Sequence, residues 1–329
     1  MSGKKDTLSI LKHNFGRPSV MTWGWPLMWL SLMTFVFFGF RCLLKNAPMT
    51  FGVTTIVGCS VFLILEAMCI LVLPVAELST GFDDRILGRY TGVGALLLSA
   101  ISGIPLMMLK VSLYNFASWI TLRICERSVF PVFFHNEPET VYGKVLTLLS
   151  DSVIPAFGIA LFFYGLLWSR FKSTDRFRAC VIITAAFVLF KMDFTSVAAF
   201  TATGIWCFYL RTRVHNIWAP FLCLVSADIA ELFLPQSLSK IDIFSVQTYA
   251  DIGTTYFYSS IPAFFMGMVL LLFFIRVLDS FSISLRHEIH DDEYDDTIPA
   301  FDKSINLSLI LTIAVFITIW VLIIQGVHL

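Results

Sequence analysis

Long apolar segments recur along almost the whole chain, and they constrain its fold more than any other feature. Such runs lie near residues 20–43, 51–75, 92–113, 147–168, 178–193, 195–211, 217–234, 256–279 and 305–327. A helix needs about 20 mostly apolar residues to cross the hydrocarbon core of a bilayer. The pattern therefore predicts an all-α, polytopic integral membrane bundle with about eight to ten spans.

The composition excludes several classes of protein. Apolar residues make up 57% of the chain and charged residues 14%, whereas about 25% charged residues is usual in soluble domains. A soluble enzyme, a disordered chain and a secreted disulfide scaffold are thereby excluded. The formal net charge is zero, so no basic excess is present to bind nucleic acid. The seven cysteines lie singly in apolar stretches, which predicts packing roles and supports neither a metal site nor a disulfide framework. No cofactor is expected.

The charge distribution predicts a topology. The segments 178–193 and 195–211 are short, and only Met192–Thr195 separates them, so they are expected to form a tight hairpin. Segment 114–134 is apolar but carries Arg123, Glu126 and Arg127, which favours an amphipathic interfacial helix over a span. With a cytoplasmic N-terminus, 15 of the 23 lysines and arginines then fall in inside loops. This asymmetry favours nine spans in the lipid bilayer, which would be the plasma or inner membrane in a bacterium.

Three regions are expected along the chain. Residues 1–141 form an N-terminal membrane region with three spans and the amphipathic helix, and 142–234 form a core. Residues 235–329 contribute two spans and an acidic loop at 280–303. His287 and His290 lie in that loop beside several carboxylates. A solvated loop or a docking patch for a basic partner is favoured there over a metal site.

Ionisable residues within apolar runs are candidate functional groups, because charge inside a bilayer is costly. They are Glu66, Lys110, Lys191, Asp193, Asp228 and Glu231. Lys110, Asp193 and Glu231 lie near predicted span ends, where interfacial placement or snorkelling explains them. Glu66 lies deep in the run 51–75. It is expected to be either a protonated or hydrogen-bonded carboxyl that faces another helix, or a functional group.

Residues 155–228 carry an ordered series of landmarks. In chain order these are Pro155-Ala156-Phe157-Gly158-Ile159-Ala160, Tyr164, Phe187-Val188-Leu189-Phe190-Lys191, Gly204, Arg211-Thr212, Trp218-Ala219-Pro220, Leu224 and Asp228. Their order and spacing resemble the core of the CPBP family of intramembrane proteases, also called the CAAX-protease or Abi family. The resemblance implies a CPBP-like helical core over residues 142–234.

The same resemblance implies that catalysis is lost. Ile159 and Ala160 occupy the positions of the family's two glutamates, and Tyr164 occupies that of its arginine. Lys191 and Leu224 replace the two histidines, and Asp228 alone keeps a family-compatible type. Apolar side chains can neither take a proton nor stabilise an oxyanion. The expected function is therefore that of an inactive CPBP-like protein, a scaffold, regulator or immunity-type factor that binds a membrane protein or peptide.

If the family fold holds, positions 191 and 228 converge, so an ion pair between Lys191 and Asp228 is expected to replace the catalytic cluster. The alternative places Lys191 at the interface beside Asp193, with Asp228 bound by hydroxyls such as that of Ser226. Two other functions stay open. One is an active protease that uses Asp228, Glu231 or Glu66, and the other is a transporter or channel component with a polar path through Glu66, Lys110, Lys191 and Asp228.

Overall fold

The computed structural model describes residues 24–46, 56–79, 86–88, 91–125, 145–146, 148–171, 176–193, 195–232, 254–285 and 307–324. Ten helices organise these residues. They are α1 Gly24–Asn46, α2 Ile56–Leu78, α3 Val93–Ile101, α4 Gly103–Cys125, α5 Leu148–Arg170, α6 Arg176–Lys191, α7 Val197–Val214, α8 Trp218–Leu232, α9 Thr254–Leu285 and α10 Leu307–Ile324.

The all-helical prediction is confirmed for the described residues. Three of their helical segments are long and apolar enough to cross a membrane: Val93–Thr121, which joins α3 to α4, then α5, and Phe257–Ser280 within α9. Shorter apolar helices cover Gly24–Phe40 and Ile310–Leu322. The larger number of spans expected from the sequence stays a prediction. The N-terminal basic segment, the acidic loop beyond residue 285 and both of its histidines lie outside the described residues.

Helix α4 is longer than its apolar run suggested. Residues 114–125, which the sequence assigned to a separate amphipathic helix, continue α4 without a break. Packing against α9 explains the continuation. The ring centroids of Phe116 and Phe257 lie 5.6 Å apart, those of Trp119 and Phe257 lie 5.3 Å apart, and Asn115 Nδ2 donates a hydrogen bond to Ser260 Oγ at 3.0 Å. Residues 126–134 lie outside the described part of the chain.

The tight turn between α6 and α7 is confirmed. Met192 adopts a left-handed conformation with φ 50°. The Asp193 carboxylate then accepts hydrogen bonds from the backbone N–H and hydroxyl of Thr195, at 3.0 and 2.7 Å, and from the Ser196 N–H at 3.2 Å. Those N–H groups precede the first turn of α7, where donors lack intrahelical partners. Asp193 therefore stabilises the turn that leads into α7, as aspartate side chains commonly do by binding backbone N–H groups two and three residues on.

Helix α5 lies at the centre of the larger hydrophobic cluster. It begins with a π-helical turn over Leu148–Val153, continues as α-helix Ile154–Ile159 and π-helix Ala160–Leu167, and ends in the 3₁₀ turn Trp168–Arg170. Side chains from Ala160 to Leu167 are almost completely buried. Helices α2, α6, α7 and α8 surround this π-helical segment, so α5 is enclosed by protein along much of its length.

The contacts also fix the relative directions of the helices around α3 and α4. Asn115 meets Ser260, whereas Pro105 and Leu109 lie against Gly267, so α9 runs antiparallel to α4. Helix α7 is antiparallel to α3, since Trp206 contacts Ser102 and Val214 contacts Thr91. Helix α8 runs parallel to α3 and α4. Its Ser226 contacts Ala100, and the later residues Asp228 and Glu231 contact Lys110.

Candidate functional site

A glycine allows α4 and α8 to approach closely. A Cβ atom on Gly103 would lie 2.0 Å from Ser226 Oγ, 2.5 Å from the Cys223 carbonyl oxygen and 2.8 Å from the Ala227 nitrogen. Ser226 Oγ also donates hydrogen bonds to the carbonyl oxygens of Ala100 and Cys223. Small residues at a crossing let helix backbones pack tightly inside a membrane. This crossing brings the following turns of α4 and α8 side by side.

Two turns beyond the crossing, three charged side chains meet. Lys110 Nζ on α4 lies 2.8 Å from Asp228 Oδ1 and 3.2 Å from Glu231 Oε2 on α8. Residues three apart on a helix share a face, so both carboxylates point toward α4. We call Lys110, Asp228 and Glu231 the charged cluster. Met107, Val111 and Ala227 form a buried apolar patch beside it.

The charged cluster lies near the middle of the apolar helical segment Val93–Thr121. At about 1.5 Å per residue, Lys110 is roughly 5 Å from the midpoint of the Val93–Thr121 segment. The hydrocarbon core of a bilayer is about 30 Å thick, so Lys110 falls well inside it if that segment spans. The three side chains keep 15%, 27% and 24% of their surface exposed, in the order Lys110, Asp228, Glu231. Mutual pairing offsets part of the desolvation cost.

Asp228 thus has a partner that the sequence did not predict. The expected pair was Lys191 with Asp228, whereas the contact observed for Asp228 is with Lys110. The Lys191 ammonium lies over the rings of Phe187 and Phe200, 6.0 and 5.6 Å from their centroids. Cation–π contacts of this kind stabilise a partly desolvated lysine. The Lys191–Asp228 pair stays a prediction. Lys110 lies in the interior of α4, which extends beyond residue 113 to Cys125.

Three of the positions that the CPBP resemblance assigns to catalysis are apolar and packed. Ile159 and Ala160 are 4% and 0% exposed on α5, and Leu224 on α8 is 8% exposed. Ile159 and Leu224 belong to the same buried cluster as Tyr164, whose hydroxyl donates to the Gly204 carbonyl oxygen at 3.4 Å. These groups offer no carboxylate or imidazole with which to activate water.

A buried arginine in the last turn of α7 connects that helix to α5 and to the segment at residues 86–88. Arg211 is 1% exposed. Its Nε donates to the Tyr164 carbonyl oxygen at 2.8 Å, and its Nη2 donates to that of Ile86 at 3.2 Å. The guanidinium carbon lies 4.4 Å from the centroid of the Trp168 ring. In a π-helix the backbone hydrogen bonds join residues five apart and not four. Arg211 donates to the carbonyl oxygen of Tyr164, which lies in the π-helical part of α5.

Other charged groups lie apart from the charged cluster. Glu66 is 7% exposed in the middle of α2. Arg170 pairs with Glu77, and Arg213 Nε lies 3.1 Å from Asp279 Oδ1. Within the described ranges, no group of three or more His, Cys, Asp and Glu side chains is arranged to hold a metal ion.

Sequence reasoning selected all members of the charged cluster but did not group them. Two sequence features could have predicted the charged cluster. Asp228 and Glu231 are three residues apart and so share one face of α8, and Lys110 is a lysine inside an early apolar run. The role of Arg211 had a weaker signal, since it stands in the last turn of α7, where basic residues are common.

No protein-family model matches this chain, and no curated protein or solved structure does so either. The resemblance to the CPBP family therefore stays a prediction, and the chemistry of the site rests on the geometry above.

Proposed function

We propose that this chain is a multi-pass membrane protein that binds a membrane protein or peptide without cleaving it, as an inactive CPBP-like scaffold or regulator. The observation that carries the proposal is the burial of Ile159, Ala160 and Leu224 among apolar side chains. A hydrolytic site needs a base and donors aimed at the developing negative charge, and these positions provide neither.

The helix directions support several membrane crossings. Helices α4 and α8 are parallel, and α5, α6 and α7 lie between them in the chain. That arrangement is expected if each of the three crosses once. Helix α9 follows α8 and runs antiparallel to α4, as a further crossing requires. The predicted orientation has a cytoplasmic N-terminus.

A cross-linked purification from native membranes tests this proposal. The tagged full chain is cross-linked, extracted in mild detergent and purified, and its partners are identified by mass spectrometry with their lengths. A dominant membrane partner of intact length supports the proposal. Partner fragments that disappear with Asp228→Asn would instead establish a protease with a non-standard residue set. Absence of any enriched membrane protein would contradict the binding function.

The charged cluster favours one second candidate, a transporter or channel component. Ionisable groups at mid-depth in a bundle commonly mark ion or proton pathways. This function requires water to reach Lys110 and Asp228. Proton flux into vesicles containing the purified protein, followed with an internal pH dye, should then fall with Lys110→Met. Equal flux in wild type, variant and empty vesicles would exclude proton transport.

A further inference from the structure

The exposed side of the charged cluster offers both a hydrogen-bond acceptor and a hydrogen-bond donor. Asp228 contacts Lys110 through Oδ1 alone, so Oδ2 accepts no hydrogen bond from the described residues. Lys110 has three ammonium protons, and among the described residues its acceptors are one oxygen of Asp228 and one of Glu231. The exposed face of the charged cluster between α4 and α8, which we call the groove, therefore presents an acceptor on Asp228 beside a donor on Lys110.

This pairing selects for a neutral group that both donates and accepts. A basic side chain entering the groove would be attracted by Asp228 and Glu231 and repelled by Lys110, but it would have to carry its own charge into the hydrocarbon, which is costly. An acidic side chain would meet Lys110 but be repelled by Asp228 and Glu231. A carboxamide has an N–H donor and a carbonyl acceptor on one carbon, so it satisfies Asp228 Oδ2 and Lys110 Nζ together without bringing a net charge into the hydrocarbon.

The exposed part of the charged cluster needs a cover other than lipid tails. About a quarter of the side-chain surface of Asp228 and Glu231 is exposed, and charged groups do not face lipid tails at this depth. Small or flexible side chains flank the cluster, with Met108 and Ala230 partly buried. A helix can therefore pack closely here, and polar side chains strengthen helix association inside a bilayer.

We propose that the groove at Lys110 and Asp228 binds a transmembrane helix of a partner protein that carries an asparagine or glutamine at mid-depth. This inference rests on the proposed function and names the chemistry of the partner. The carboxamide donates to Asp228 Oδ2 and accepts from Lys110 Nζ, while the partner helix covers the exposed side of the charged cluster.

Synthetic helices provide the test. The purified full chain is reconstituted in phosphatidylcholine vesicles, and energy transfer reports binding of a labelled leucine helix of about 20 residues at low peptide-to-lipid ratio. Three peptides are compared: one with asparagine at its centre, one with asparagine moved two turns toward an end, and one of leucine only. The central asparagine should tighten binding roughly three- to twenty-fold over leucine, the range of intramembrane hydrogen bonds. The shifted asparagine should bind no better than leucine.

Variants locate the effect. The triple substitution Lys110→Met, Asp228→Leu, Glu231→Leu removes every charge of the cluster and should abolish the preference for central asparagine. The matched control, Arg213→Gln with Asp279→Asn, removes another ion pair and should leave the preference unchanged. Equal binding of the three peptides to wild type would overturn the inference, and that comparison needs no variant to fold.

The test is separable from that of the proposed function. If purification yields an intact partner while the peptides bind equally, the docking groove is wrong and the binding function stands. If the central asparagine is preferred but no partner is enriched, the binding function fails as proposed.

Discussion

Substituting Gly103 by alanine should destabilise the protein, although alanine favours helices. The added Cβ would lie 2.5 Å from the Cys223 carbonyl oxygen and 2.8 Å from the Ala227 nitrogen. Both atoms belong to the backbone of α8, so rotation of a side chain cannot relieve the overlap. Helices α4 and α8 must separate by roughly 1 Å at the crossing, and gaps of that size forfeit a quarter to a half of each dispersion contact.

The expected magnitude combines two opposing effects. Overpacking of a tight contact costs about 1–3 kcal/mol, and replacing a mid-helix glycine by alanine returns about 1 kcal/mol. Separation also lengthens the reach from Lys110 to Asp228, which weakens a partly buried ion pair. We expect a net loss of about 2 kcal/mol, equivalent to a fall in Tm of roughly 3 °C for a chain of 329 residues.

The assay is thermal unfolding of the purified protein in mild detergent, followed by intrinsic fluorescence. Gly39→Ala is the matched control, because Gly39 lies within α1 and a Cβ there would meet nothing within 4 Å. That variant should unfold at the wild-type temperature or slightly above it. A Tm for Gly103→Ala equal to that of Gly39→Ala would refute the close crossing of α4 and α8.

Three further substitutions test other contacts by the same unfolding assay. Gly88→Ala should lower the Tm, because Gly88 has φ +83° and its added Cβ would lie 1.9 Å from the His215 carbonyl oxygen. An unchanged Tm would contradict that geometry. Arg211→Met should cost about 3 kcal/mol by removing two charge-assisted hydrogen bonds, whereas a stabilised variant would show that burial of the guanidinium outweighs its bonds. Lys110→Met should cost about 3 kcal/mol by leaving Asp228 without its cation, and Lys110→Arg should recover much of that loss.

Local features of the fold were predictable from the sequence. The turn at residues 192–195 followed from two short apolar runs that follow each other almost directly, and Asp193 has a side chain that can accept hydrogen bonds in such a turn. The length of α4 was not predictable, because Arg123 and Glu126 suggested an interfacial helix. Its continuation depends on aromatic contacts with α9, more than 130 residues away in the chain.

The composition of the charged cluster was predictable, but its pairing was not. An ionisable residue within an apolar run is visible in any sequence, and Lys110, Asp228 and Glu231 were selected for that reason. Which of them meet depends on which helices are neighbours. That choice is made at Gly103, where the absence of a side chain lets α4 reach the backbone of α8. The apolar pattern of either helix alone holds no such information.

The central claim is that an ion pair between Lys110 and Asp228 joins α4 to α8, and exchanging its charges tests that claim most directly. Lys110→Asp and Asp228→Lys are made singly and together, and the Tm of each is measured in the same detergent. Each single variant places like charges together and should unfold at least about 4 °C below wild type. The double variant restores opposite charges and should regain most of that loss. A double variant no more stable than the worse single variant would contradict the pairing.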